Sequence, residues 1–400
     1  MSSVCARDLR GGAFVLTRRE FLAGALVAPA ALLQSGARFL SNVPLGLSGG
    51  GRTPPFGQLL GLGLDARLFA DLSTLDPDKP DTLVTPADRF FVRTSAPPGL
   101  LRNAWTIRLD GLVASPLDLD LATLESQTER GGRYLLECSG NVDQSNYGLL
   151  STADWDGVPL ARVLDRVRPP ASAHRVLVSG VDHQASAAGT SVPGASWIFA
   201  RSDLDRALLA TRMNDAPLPA DHGAPVRLIA PGWYGCACIK WVNRIELVND
   251  DAPATAQMRE FAARTHQPFG SREVASSLRA GGPLLARDFE PAVIDTAAMP
   301  VRVEKWTEAG RVFYRVVGII WGGAKPTNAL SIRFKSGTPW VRVEYCPLPE
   351  STLTWSLWSH TWRPAAPGRY QIVLKVDDPS IRTRRLDIFF YVREVDIDQT

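Results

Sequence analysis

A chain of 400 residues, 45% hydrophobic and 21% charged, has ordinary globular composition and length for more than one core, so two folded domains are expected. A net charge of +3, with no long basic run and no basic stripe interleaved with aromatics, sets nucleic acid aside as a partner. Eleven Trp favour β-rich packing.

Near the start, Thr17-Arg18-Arg19-Glu20-Phe21-Leu22 precedes an apolar, small-residue stretch from Ala23 to Leu33 that contains Pro29. This reads as a twin-arginine export signal over residues 1–37, and so as a periplasmic protein exported already folded, a route often taken around a cofactor. The apolar run is shorter than the roughly 20 residues of a bilayer-spanning helix. Gln34-Ser35-Gly36-Ala37 is a loose match to a cleavage site. Residues 38–84, rich in Gly, Pro, Leu and Ser, read as a linker or wrapping arm.

The first folded domain is placed at 85–268. Arg89–Arg93 and Trp105–Gly111 read as strands, Trp155–Leu164 as a turn into a helix, and Arg175–Asp182 as a strand running into a Gly turn. Between them, the apolar run Arg133–Glu137 stops at Cys138, and Ser139-Gly140-Asn141 turns the backbone sharply. A thiol at the lip of a strand is a metal ligand or nucleophile only as thiolate, a state that turn N–H groups or nearby cations favour. A buried structural Cys is the alternative, and the local pattern leaves the two level. Of five Cys, Cys5 leaves with a cleaved signal, while Cys138, Cys236, Cys238 and Cys346 remain. Cys236 and Cys238 are two apart, with Cα atoms at about 6.5 Å in extended chain, near the outer limit for a bridge. No Cys-x-x-Cys-His occurs, so no c-type haem is attached to this chain.

After a linker at 269–296, residues 297–397 read as seven short strands: 301–306, 312–320, 330–334, 340–345, 353–358, 370–376 and 386–392. That spacing suggests an immunoglobulin-like sandwich, with its Trp residues in the core. The fold class expected for the whole is α+β.

Glu137-Cys138-Ser139-Gly140-Asn141, Asp156–Leu160, His222–Arg227, Pro231–Gly235 and Lys240-Trp241 together resemble the sulfite oxidase family of molybdenum enzymes, in that family's order and spacing. The resemblance implies a sulfite-oxidase-type domain that binds molybdenum through Cys138, beside the dithiolene of a pyranopterin (molybdopterin). It also implies that Arg93 lines the cofactor pocket, that His222 and Arg227 help hold the pterin and its phosphate, that Asp182 binds the pterin, and that Lys240 sits near the phosphate. The chemistry of the basic members agrees, since Arg offers a planar fork and Lys a point charge, while Gly232 and Gly235 let backbone N–H groups approach an anion. His174, His183, His266 and His360 have no such context.

Two departures bear on substrate. Ser95 stands where sulfite-oxidising members have histidine, and Val142-Asp143 replaces Arg-Arg, so Asp143 joins Cys138 and Arg93 as a substrate-facing residue of the wrong sign for an anion. No tyrosine occurs in Met258–Arg264, where the family's active-site tyrosine is expected. Similarity around Trp321-Gly322-Gly323, Trp355–Trp358 and Pro367–Tyr370 to the family's C-terminal dimerisation domain implies a homodimer. The implied reaction is two-electron oxygen-atom transfer, sulfite-dehydrogenase-like, with electrons passed to an external protein such as cytochrome c. Reduction of an S-oxide or N-oxide is the alternative enzyme, and a cofactor-free binding or assembly protein the alternative from another class.

Overall fold

The computed structural model describes residues 36–50, 53–100, 104–141, 146–182, 194–265 and 284–398. The export segment up to Ser35, Asp143, His183 and His266 lie outside the described residues.

The chain is mostly β with few helices, which corrects the expected α+β class. Among the described residues the α-helices are Leu121–Ser126, Leu160–Arg166 and Ala256–Glu260, each under eight residues. Two are started by side-chain caps, Asp120 accepting from the Thr123 N–H and Thr255 from the Met258 N–H. The stretch read as a turn into a helix is mainly strand. Asp156–Pro159 pairs with Leu208–Arg212 as the end of the strand Leu150–Pro159, and the helix begins only after Pro159.

Two five-stranded sheets build the region up to residue 265. One joins Glu129–Glu137, Leu150–Pro159 and Leu208–Met213, with Ala216–Pro217 and Arg227–Ile229 both paired to the last of these. The other runs Leu117–Asp120, Thr106–Gly111, Val242–Val248, Arg175–Gly180 and Ser196–Ala200, with one parallel pairing, Val242–Val248 on Thr106–Gly111. Glu129–Glu137 is the edge strand of the first sheet. Its burial rises toward Leu135, Leu136 and Glu137, and its free edge is covered from the C-terminal part, where Leu353 O accepts from the Leu135 N–H at 2.8 Å. Residues 89–93 do not form the expected strand, because only Val92 pairs, in an isolated bridge to Leu68.

The C-terminal part is two antiparallel sheets. Arg38–Val43, Ala297–Glu308, Arg311–Trp321 and Ser356–Trp362 form one. Val341–Arg342, Leu330–Arg333, Gly368–Val376, Arg393–Ile397 and Leu45–Leu47 form the other. They meet through Trp362, stacked on Phe334 at 4.1 Å between centroids and edge-on to Tyr370 at 4.7 Å. The start of the expected arm is therefore an edge strand of both sheets. Its continuation crosses to the first region, where the Ala70 N–H donates to Gly148 O at 2.9 Å. The strand expected at 386–392 is instead a turn closed by the 3-10 segment Phe389–Tyr391, with Phe389 at φ 54°. Pairing resumes at Arg393, and the turn aims Arg384 and Tyr391 inward.

Candidate active site

Cys138 follows directly on the edge strand and is 7% exposed. Its N–H donates to Leu149 O at 3.0 Å, and its carbonyl accepts from the Asn141 N–H at 2.9 Å, closing the Ser-Gly turn. The Gly140 N–H points at Sγ from 3.3 Å. Burial pushes the Cys138 thiol up, while Arg93, the Gly140 N–H and Arg67 pull it down. Both expected thiolate-favouring features are present, but desolvation outweighs them. In the protein alone the group is a thiol, and a bound metal is what would remove its proton.

Arg93, Asp182, His222, Arg227, Gly235 and Lys240 line one pocket with Cys138. Asp182, 6% exposed, stands just past the end of the strand Arg175–Gly180. The Arg227 guanidinium is fully sequestered. Its Nη1 donates to His222 O at 2.9 Å and Nη2 to Cys238 O at 3.1 Å, its plane lies 5.1 Å from the Trp155 ring centroid, and Nε has no partner. Lys240 donates to Thr94 O and, at 2.9 Å, to Asp221 O. Burial lowers its pKa to about 7, with Arg227 adding to the effect and Asp182 and Asp221 opposing it. His222 Nε2 lies 2.7 Å from Ala87 O. A carbonyl only accepts, so Nε2 carries the proton, and burial holds the pKa down at about 4. His222 is thus a neutral fixed ring rather than a phosphate-binding cation.

Gly235 acts differently from expectation. The Gly235 N–H donates to Glu137 O at 2.7 Å, so it ties two loops together rather than facing an anion. A Cβ on Gly232 would meet Leu353 at 3.0 Å, which places that residue against the C-terminal part. Ser95 Oγ accepts from the Gly63 N–H at 2.8 Å, and the Ser95 N–H donates to Gly63 O at 3.0 Å, so this departure anchors the arm. Asp143 is outside the described residues.

Two features of the site were not found from sequence. Arg67, in the stretch read as an arm, shares an acceptor with Arg93, since Leu64 O receives Arg67 Nη1 at 3.1 Å and Arg93 Nη1 at 2.6 Å. Arg67 Nη1 also donates to Arg93 O at 3.0 Å. Burial and the Arg93 charge together lower Arg67 to about 10, with Cys138 and Asp65 acting the other way. The second feature is the carboxylate of Glu137, which is fully buried and held from the C-terminal part. Trp321, expected as sandwich core, is one of the residues that hold it. The only signal for either lay in unusual chemistry at a quiet position, an arginine amid Gly and Leu and a Glu ending an apolar run.

Among the described residues no three His, Cys, Asp or Glu side chains converge as a metal site. Cys236 and Cys238 also line the pocket, both buried and with their thiols pushed up by burial. Cys138, the one of the three that Arg93 and Arg67 pull toward thiolate, together with the fixed cations and an orphaned, buried Arg227 N–H, fits a metal whose other ligands come with an anionic organic cofactor.

The oxidoreductase molybdopterin binding domain matches residues 94–256. Sulfite oxidase of Gallus gallus is 26% identical over 333 residues, 75% of this chain and 68% of that protein. The NADPH nitrate reductase of Emericella nidulans is 27% identical over 290 residues, 66% of this chain and 32% of that one. The chain thus spans from about a third to about two thirds of such relatives. In fold it resembles the crystal structure of the sulfane dehydrogenase SoxCD from Paracoccus pantotrophus, with a TM-score of 0.59 at 15% identity over 100% of this chain and 96% of that one.

Proposed function

Because this chain is a molybdopterin-binding oxidoreductase of the sulfite oxidase family, we propose that it oxidises a small sulfur oxyanion by two-electron oxygen-atom transfer and delivers the electrons to an external protein such as cytochrome c. The observation that carries the reading is Cys138, buried at the turn after its strand with the Gly140 N–H at its sulfur, in a pocket walled by Arg93, Arg227 and Lys240. The cofactor supplies the redox and oxygen-transfer chemistry when bound. Cys138 gives up its proton to become the ligand. Arg227, immobilised by two carbonyls and the Trp155 face, and Lys240, protonated below about pH 7, neutralise the cofactor's anionic group. Phe90, Phe91 and Phe261 line the same pocket and restrict water.

Substrate charge is read from Arg67 and Arg93. The relatives named for sulfite and nitrate are named for oxyanions, and a guanidinium pair anchored on one carbonyl is the arrangement such a group would meet. Arg67 takes over the role of the arginine replaced at Asp143. Asp143 itself favours the second reading, reduction of a neutral S-oxide or N-oxide. Sulfite-dependent reduction of cytochrome c by protein with confirmed molybdenum content tests the choice: turnover supports the proposal, and no turnover with sulfite alongside turnover with an S-oxide or N-oxide overturns it. The twin-arginine segment supports a periplasmic location. The two packed C-terminal sheets support an immunoglobulin-like sandwich, through which two chains pair.

A further inference from the structure

The residue before the cysteine is a fully buried carboxylate. Every acceptor direction of Glu137 is in use. Oε1 accepts from Asn141 Nδ2 at 2.9 Å and Arg384 Nη1 at 2.5 Å, and Oε2 accepts from Trp321 Nε1 at 2.9 Å and Arg384 Nη2 at 2.6 Å. Asn141 ends the turn that Cys138 begins, so this carboxylate closes the turn from outside while the Asn141 N–H to Cys138 O bond closes it from inside. The Glu137 carbonyl meanwhile accepts from the Gly235 N–H, fixing the opposite loop of the pocket. Arg384 is itself held, its Nη1 donating to Tyr391 at 2.7 Å and its plane lying 5.2 Å from the Tyr234 ring centroid. Trp321 and Arg384 both belong to the C-terminal part.

We propose that Glu137, gripped by Arg384 and Trp321, is the positioning residue for Cys138, so that the C-terminal sheets set the orientation of the sulfur toward its metal. A buried carboxylate deprived of a donor leaves an uncompensated charge. Its loss is therefore felt at the neighbouring turn and not only in overall stability. The inference rests on Cys138 being the metal ligand, and the test separates the two.

The test compares Trp321→Phe and Arg384→Lys with Trp358→Phe in the full-length protein. Trp358 also loses one buried indole bond, Nε1 to Ile319 O at 3.1 Å, on a strand of the same sheet, but does not touch Glu137. Two readouts are taken: the rate at which iodoacetamide labels Cys138 in protein made without cofactor, followed on its own peptide, and the Mo(V) electron paramagnetic resonance spectrum of the loaded enzyme. Trp321→Phe and Arg384→Lys should label about tenfold faster, the weight of one hydrogen bond to a charged group, and shift the Mo(V) spectrum. Trp358→Phe should keep wild-type values in both. Wild-type labelling in Trp321→Phe, or equal acceleration in Trp358→Phe, overturns the proposal. Labelling reads the clamp with no metal present, so wild-type protein lacking molybdenum would overturn the ligand reading alone. If Arg384→Lys does not fold, Trp321→Phe against Trp358→Phe decides.

Discussion

Lys240 is the side chain whose charge is most open to control by pH. Its folded pKa of about 7 lies below the ordinary lysine value, so it is an ammonium below that pH and an amine above it. An anion binding beside it raises the pKa and takes up a proton, and affinity for an anionic cofactor falls as pH rises through 7. Between about pH 7 and 8 cofactor loss should accelerate up to tenfold, measured as release of pterin fluorescence, and Lys240→Met should flatten the dependence. An unchanged slope in that variant would remove Lys240 from the site. His222 titrates oppositely in consequence. With its pKa lowered to about 4, it contributes stability present above the unfolded value of about 6.5 and lost as pH falls through 4, at most about 3 kcal/mol. Urea midpoints between pH 7 and 4 should show that decline. Arg67→Gln should raise KM for sulfite about tenfold or more, with kcat little changed, since it removes a charge-assisted contact made equally in ground and transition states. A normal KM would return the anion-binding role to another residue. At this scale the sequence was most readable where chemistry was local. Cys138, Arg227 and Lys240 each sit in a short motif, and the three line one pocket together with Asp182. Arg384 reaches Glu137 from 247 residues away, a separation that no local pattern encodes.

The element that sets the site is the edge strand Glu129–Glu137 with its turn, while the Lys240 side of the pocket depends on a close backbone approach in the second sheet. A Cβ on Gly180 would lie 2.0 Å from Lys240 O. Gly180→Ala should therefore push the Lys240 segment aside, at about 1–3 kcal/mol of stability, and lower molybdenum content more than stability alone accounts for. Metal analysis of the soluble variant checks this, and full loading would show that the close approach has no bearing on the pocket. Strands with clean alternation, such as Thr106–Gly111, were legible from pattern. Residues 89–93 and 386–392 were not, because their apolar runs serve a bridge and an inward turn instead of a ladder. The Gly- and Leu-rich 38–84 stretch has little periodicity. Its strands are defined by the partners they pair with, Ala297–Glu308 and Arg393–Ile397, far along the chain.

For the whole molecule, the C-terminal sheets have two roles, covering the open edge of the cysteine strand and holding Glu137. Pairing of two chains through these sheets predicts a mass of two chains in sedimentation equilibrium; a single-chain mass across the concentration range would contradict it. The central claim is that Cys138 binds the metal that does the chemistry, and X-ray absorption at the molybdenum edge addresses it most directly. Wild-type protein is predicted to hold molybdenum, and Cys138→Ser to keep its fold, show one sulfur fewer around the metal and lose turnover. An unchanged sulfur count with turnover intact in Cys138→Ser would contradict the account.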